Sequence, residues 1–268
     1  MKCRIAFGSI VAVALNGVCG GDAAGSVVTL ISEPNMPAGV FSQSAINTSG
    51  GFSFVVGVSG SGGNPDAYRS IRHSSTSGIA QGTVVHTHQT TWNPLLNDAI
   101  YTIDMGIDVN CFNGGTSGAV GFGLVIVQNG VVYYGPSFAP GTASGWRTSL
   151  RRTGLRATDF SNGVLHPDFT PSGSTISFGF YSANGTISGV PISSSSGADN
   201  FTVTIHTCEA DANGDGFVDG FDYDDYVSCF EGTANPPCAP GVWSDFNGDG
   251  FVDGFDYDDF IAAFETGC

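Results

Sequence analysis

Basic residues are scarce in this chain: eight Lys and Arg stand against 24 Asp and Glu, for a formal net charge of −16. Phosphate binding needs a basic surface, so the composition argues against a nucleic-acid partner. Beyond the first twenty-odd residues no apolar run reaches the length of a membrane-spanning helix, which leaves no transmembrane span in the mature chain. No G-x-S-x-G, Walker or H-E-x-x-H pattern occurs, so the motifs of serine hydrolases, P-loop NTPases and zinc proteases are missing. Helical periodicity is absent from residues 27–207.

What the chain does have begins at its N-terminus. Met1-Lys2-Cys3-Arg4 is a short basic region, and Ile5 to Val18 forms an apolar stretch followed by Gly20, Gly21, Ala23, Ala24 and Gly25. This pattern predicts a secretory signal peptide over residues 1–24 and an extracellular, surface-associated protein. Asn16-Gly17-Val18 ahead of Cys19 fits a lipobox poorly.

A 12-residue acidic loop occurs twice, 34 residues apart. The first copy places Asp211, Asn213, Asp215, Asp219 and Asp222 at loop positions 1, 3, 5, 9 and 12, with Gly216 at 6 and the Phe217 carbonyl at 7. The second places Asp245, Asn247, Asp249, Asp253 and Asp256 identically, with Gly250 and Phe251. This is the spacing of a Ca²⁺ loop, in which hard oxygens converge on one ion and glycine permits the sharp turn. Two Ca²⁺ ions are expected. After each loop, apolar residues recur at i, i+3, i+4 and i+7: Tyr223, Tyr226, Val227 and Phe230, then Tyr257, Phe260, Ile261 and Phe264. Each set is one stripe of a short helix, and the two helices need each other to close a core. The pairs Asp224-Asp225 and Asp258-Asp259 are expected in the first helical turn, where the helix dipole favours negative charge.

Fifteen of the acidic residues lie between Cys208 and Cys268, which hold no Lys or Arg; residues 27–207 have eight acids and six Arg. Acidity of that density opposes compaction without cations, so the C-terminal segment should need Ca²⁺ to fold. Cys208, Cys229, Cys238 and Cys268 also fall within it. Four cysteines allow three connectivities; the preferred one is Cys208–Cys268 with Cys229–Cys238. Cys111 is left over, as a buried small residue.

On these residues the tandem loop–helix pair resembles a dockerin domain, and the ending Thr266-Gly267-Cys268 with Cys208 resembles the GC-type dockerin-anchored proteins. The resemblance covers residues 208–268. It implies a small α-helical, EF-hand-like Ca²⁺-binding domain that docks on a cohesin-like or other surface scaffold protein. It also implies that Gly220, Phe221, Gly254 and Phe255, at loop positions 10 and 11, are read by the partner. Their near-identity implies docking in either of two orientations. Asp222 and Asp256 stand at position 12, where an ordinary EF-hand has Glu, a difference in the dockerin direction. One departure from the dockerin pattern stands out: the helices lack the basic residues with which typical dockerins meet cohesin.

Residues 27–207 predict an all-β sandwich, an antiparallel domain of the jelly-roll type. Tyr101 to Val109 alternates apolar and polar, as do Phe52 to Val58, Ile176 to Phe180 and Phe201 to Ile205. Asn129-Gly130, between two apolar runs, is a hairpin signal. The stretch Asp199 to Ile205 is similar to the last strand of many jelly-roll carbohydrate-binding modules, where an Asp can hold a structural Ca²⁺.

Candidate sites in this domain are weaker. Trp92, Trp146, Tyr133, Tyr134 and Tyr181 offer rings for sugar stacking. Arg147, Arg151, Arg152 and Arg156 form a loop-like basic stretch that suits acidic glycans. His86 and His88 would face one side of a strand, as metal ligands do in cupins, without the carboxylate that should follow. Asp104 and Asp108 lie about 13 Å apart by strand rise, too far for a glycosidase pair, and Glu33, Asp159 and Asp168 have no position from sequence. The reading that follows is a secreted, non-catalytic protein held through a Ca²⁺ module, with polysaccharide as the candidate ligand. Its alternative is a polysaccharide hydrolase borne by a dockerin.

Overall fold

The computed structural model describes residues 25–49, 51–76, 80–112, 120–138, 145–148, 151–186, 191, 193–234, 244–247 and 249–267. Val27–Thr207 forms one compact unit, and Cys208–Cys268 falls in a second.

The first unit is a two-sheet sandwich in which every strand pairing is antiparallel. One sheet runs β3 (Ser53–Ser59), β4 (Tyr68–Ser74), β11 (Ser193–His206), β6 (Thr102–Cys111), β9 (Arg151–Leu155), with β1 (Val27–Glu33) also on β11. The other runs β2 (Phe41–Ser49), β5 (Ala80–Trp92), β10 (Ile176–Thr186), β7 (Gly121–Gln128), β8 (Val131–Phe138). Alternation decides which side chains meet between the sheets. Ile103, Met105, Ile107 and Val109 from one sheet, and Phe122, Leu124, Ile126, Phe178 and Phe180 from the other, are all at most 1% exposed. Fully burying such a side chain stabilises by about 1.5–3 kcal/mol. The Asn129-Gly130 turn between β7 and β8 has φ of 53° and 75°, the left-handed pair that a type I′ hairpin requires.

Two local expectations are corrected. The domain is not free of helix: α1 (Pro94–Asn97) starts with proline at its first position, and Asn93 Oδ1 accepts the Leu95 N–H at 3.0 Å. A 3₁₀ turn covers Ala157–Asp159. Of the arginine-rich stretch, Arg151 and Arg152 lie in strand β9, paired with β6, rather than in a loop, while Arg147 bridges Val109 and Arg156 caps the 3₁₀ turn.

In the second unit α2 (Gly220–Phe230) and α3 (Gly254–Thr266) follow the two acidic loops. Their stripes pack as the spacing predicts. Tyr226 and Phe260 stack with ring centroids 3.8 Å apart, and Tyr223, Val227, Phe230, Tyr257, Ile261 and Phe264 pack around them. The helices start earlier than expected. Asp219 and Asp253 are the N-caps, each closing a capping box with Asp222 or Asp256. Asp224-Asp225 and Asp258-Asp259 therefore lie past the first turn, where Asp222 and Asp256 stand instead. Cys208 and Cys229 are each disulfide-bonded. Cys238 and Cys268 lie outside the described residues, as do residues 1–24 of the expected signal peptide. Cys111 is a free, buried thiol. No helix among the described residues is long and apolar enough to cross a membrane.

Candidate functional site

The two acidic loops are built by one hydrogen-bond scheme. In the first, Asp211 Oδ2 accepts from Gly216 N at 2.9 Å, Asn213 Oδ1 from Asp215 N at 2.8 Å, and Asp215 Oδ1 from Phe217 N at 2.9 Å. Asp219 Oδ1 accepts from Phe221 N, and the two oxygens of Asp222 take Asn213 N and Asp219 N. The second loop repeats all six bonds on Asp245, Asn247, Asp249, Asp253 and Asp256, none differing by more than about 0.1 Å. Gly216 and Gly250 hold φ of 90° and 92°, so position 6 requires glycine.

This scheme spends one oxygen of the first aspartate on the main chain and leaves the other over. Asp211 Oδ1 and Asp245 Oδ1 are buried with no hydrogen-bond partner. Burial, aided by Asp222 and Asp215, pushes the Asp211 carboxyl up to about 6, and burial raises Asp222 as well. A buried, orphaned carboxylate oxygen among other carboxylates is costly unless a cation takes it. The donor set is all hard oxygen, which fits Ca²⁺. No group of three or more His, Cys, Asp or Glu among the described residues is close enough to count as a metal cluster. The fit rests instead on the loop register, which also uses Asn213, Asn247 and main-chain carbonyls, and on the orphaned oxygens. The docking candidates Phe221 and Phe255 project from the start of each helix, 71% exposed apiece.

The sandwich sorts its aromatic candidates by face. Trp92 is buried at 6% exposure with its Nε1–H on Asp98 O, and Tyr133 is buried in the core. Neither can stack on a sugar. Tyr134 and Tyr181 point outward from the sheet of β8, β7 and β10 and meet edge to face at 5.5 Å. The Tyr181 ring lies over Gly123, where a Cβ would stand 2.3 Å from it. Val85 and Val125, register partners of Tyr181 and Tyr134, lie on the same face and are buried. Burial and then Tyr181 raise the Tyr134 hydroxyl, which stays a neutral donor. Trp146 packs with Tyr68 and Phe112 on the opposite sheet and donates to Gly62 O, anchoring the β3–β4 loop.

The His86/His88 pair is not a metal site. Both rings enter the core and separate there. Arg69 Nε donates to His86 Nδ1 at 3.2 Å, and Ser182 Oγ bridges His86 Nε2 and His73 Nε2 at 3.3 and 3.2 Å. His88 Nε2 pairs instead with Glu33 at 3.0 Å. Desolvation lowers His73 to about 4 and His86 well below the usual histidine value. Sequence showed the strand but not this polar core, because Arg69, His73 and Ser182 come from two other strands.

The remaining acids are engaged structurally. Asp104 pairs with His206 and Asp159 caps the 3₁₀ turn. Asp168 Oδ1 accepts from Thr170 N and Oγ1. Arg152 and Arg156 lie over the Phe138 and Tyr101 rings, and Arg151 donates to Thr202, so most of the arginine stretch is already in use. Asp108 and Asp199, register partners on β6 and β11, are both buried. Asn64 N donates to Asp199 Oδ2 at 2.7 Å, and Asn200 Nδ2 to Asp108 Oδ2 at 2.7 Å. Asp108 Oδ1 is buried without a partner.

No protein-family model matches the chain, and no curated protein does. Among solved structures it is similar to a family 11 carbohydrate-binding module from Clostridium thermocellum, in complex with a β-1,3-1,4-mixed-linked tetrasaccharide. That match has 13% identity and a TM-score of 0.39, over 66% of this chain and 97% of that one. It is similar also to a xylan-binding domain from Paenibacillus barcinonensis, at 12% identity and TM-score 0.34 over 70% and 99%. A third neighbour is a mannan-recognising carbohydrate-binding module, at 13% and 0.36 over 68% and 99%. These neighbours are β-sandwich carbohydrate-binding modules, and a likeness of this degree carries no inference about this chain's ligand.

Proposed function

We propose that this is an exported, non-catalytic protein whose sandwich holds a polysaccharide and whose C-terminal module binds two Ca²⁺ ions and docks, dockerin-like, on a surface scaffold. The observation that carries the reading is the pair of loops, identical in all six hydrogen bonds, each leaving a buried aspartate oxygen for a cation. Asp211, Asn213, Asp215, Asp219 and Asp222, with the Phe217 carbonyl, would hold one ion. Asp245, Asn247, Asp249, Asp253 and Asp256, with the Phe251 carbonyl, would hold the other. Each ion supplies the positive charge that lets the acidic segment compact. Disulfides Cys208–Cys268 and Cys229–Cys238 staple a core too small to be secure alone.

For glycan binding the support is the Tyr134–Tyr181 pair on the outer face of its sheet, since sugars stack on flat apolar rings and hydrogen-bond to polar groups beside them. Calorimetric Ca²⁺ titration of the full chain, beside affinity electrophoresis on a polysaccharide panel and a reducing-sugar assay, tests the whole. Two ions bound and retardation without product release are expected. Failure to bind Ca²⁺ would sink the module reading, and sugar release would replace the non-catalytic one with the hydrolase alternative.

A further inference from the structure

α2 and α3 repeat one sequence pattern, and the equivalent residues Tyr223 and Tyr257 meet hydroxyl to hydroxyl at 2.9 Å. Two grooves on the module are lined by matching residues of the repeat. One is lined by Tyr223, Phe230 and Phe255 together with Glu231, Asp253 and Asp258. The other is lined by Phe221, Tyr223 and Phe264 together with Asp219 and Asp224. Asp224 and Asp258 are equivalent positions, and so are Phe221 and Phe255. Both grooves are therefore lined by aromatic rings and carboxylates together.

Nothing in the module's own composition answers those carboxylates. Residues 208–268 hold fifteen acids and no Lys or Arg, and two Ca²⁺ ions would cancel only four of the fifteen charges. An exposed Phe at each helix start adds an apolar knob that water does not favour.

We propose that the docking partner is a protein face carrying arginine or lysine side chains beside apolar sockets. Phe221 and Phe255 enter the sockets, while a guanidinium or ammonium lies in each groove against its rings and pairs with Glu231 and Asp258, or with Asp224. A cation over an aromatic face is attracted by the ring quadrupole, and a carboxylate beside it adds a charge-assisted hydrogen bond. A neutral or acidic face would desolvate these carboxylates without return. A second copy of the module is disfavoured by the same repulsion. This polarity is the reverse of the one that the dockerin resemblance implies. It rests on the docking reading above.

The test pans phage-displayed random peptides against the full chain in millimolar Ca²⁺. Selected peptides should combine Arg or Lys with aliphatic or aromatic residues. A synthetic representative should lose about tenfold in affinity between low and high salt, because screening weakens exposed charge pairs. The triple variant Asp224→Asn, Glu231→Gln, Asp258→Asn should weaken it by a further factor of about ten, with Ca²⁺ uptake unchanged, since none of the three is a loop ligand. Neutral or acidic selected peptides, a salt-independent affinity, or no binder at all would overturn the proposal. A chelator arm separates the two readings: basic peptides that bind equally without Ca²⁺ would refute Ca²⁺-dependent docking and leave the cationic partner standing.

Discussion

Acid should unfold the sandwich through its buried histidines. His73 and His86 are 0% exposed and share Ser182, and the charge beside them is the Arg69 guanidinium. Burial holds His73 at about 4 and His86 well below the unfolded value near 6.5. The unfolded chain therefore takes up protons first. The stability that these rings contribute is fully present above pH 6.5 and is lost as pH falls from 6.5 toward 4. At pH 5 the imbalance for His73 is about 1.5 pH units, or roughly 2 kcal/mol, and His86 acts in the same direction. For a domain of this size the His73 part alone is a drop of about 4–8 °C in Tm. Asp199, raised by burial, acts in the opposite sense and blunts the loss.

Melting followed by tryptophan fluorescence at fixed Ca²⁺ measures it. In a Trp243→Phe background only Trp92 and Trp146 report, and both belong to the sandwich. The deciding comparison is the slope of Tm against pH, rather than Tm itself, in His73→Gln and His86→Gln variants. A wild-type Tm equal at pH 7.5 and 5, or variants that keep the full wild-type slope, would refute the reasoning.

Three further outcomes are expected. Tyr181→Ala should cut affinity for the retained polysaccharide by roughly tenfold, about 1–2 kcal/mol for a lost stacking ring, with little change in Tm, as affinity electrophoresis would show. Gly179→Ala should destabilise by about 1–3 kcal/mol in denaturant melts, because its Cβ would stand 2.1 Å from the His86 carbonyl oxygen on the paired strand. Asp222→Ala removes the carboxylate that accepts two main-chain N–H groups together with a proposed loop ligand, and calorimetry should then count one Ca²⁺ where two are expected of the parent protein.

The sandwich strands were legible wherever apolar residues alternate over a half-buried face, as in β6, β10 and β11, and the β7–β8 hairpin announced itself through Asn129-Gly130. What sequence misjudged was local competition and facing. The helix starts were placed too late because Asp219 and Asp253 serve as loop residues and caps at once. Trp92 and Tyr133 looked as available to a sugar as Tyr181, since a ring's sidedness depends on which sheet covers it. The histidines of β5 resembled a ligand pair until Arg69 and Ser182 arrived from other strands.

Residues close in the chain thus settled the acidic loops, the helical stripes and the strand periods, because capping, turn geometry and alternation act within about a dozen residues. Only the tertiary structure decided the rest. It gave each loop a buried oxygen without a partner, placed a polar network inside the sandwich, and set Tyr134 beside Tyr181 on one outer face. Those outcomes depend on which distant strands are packed together, a choice made by the burial of the whole apolar surface.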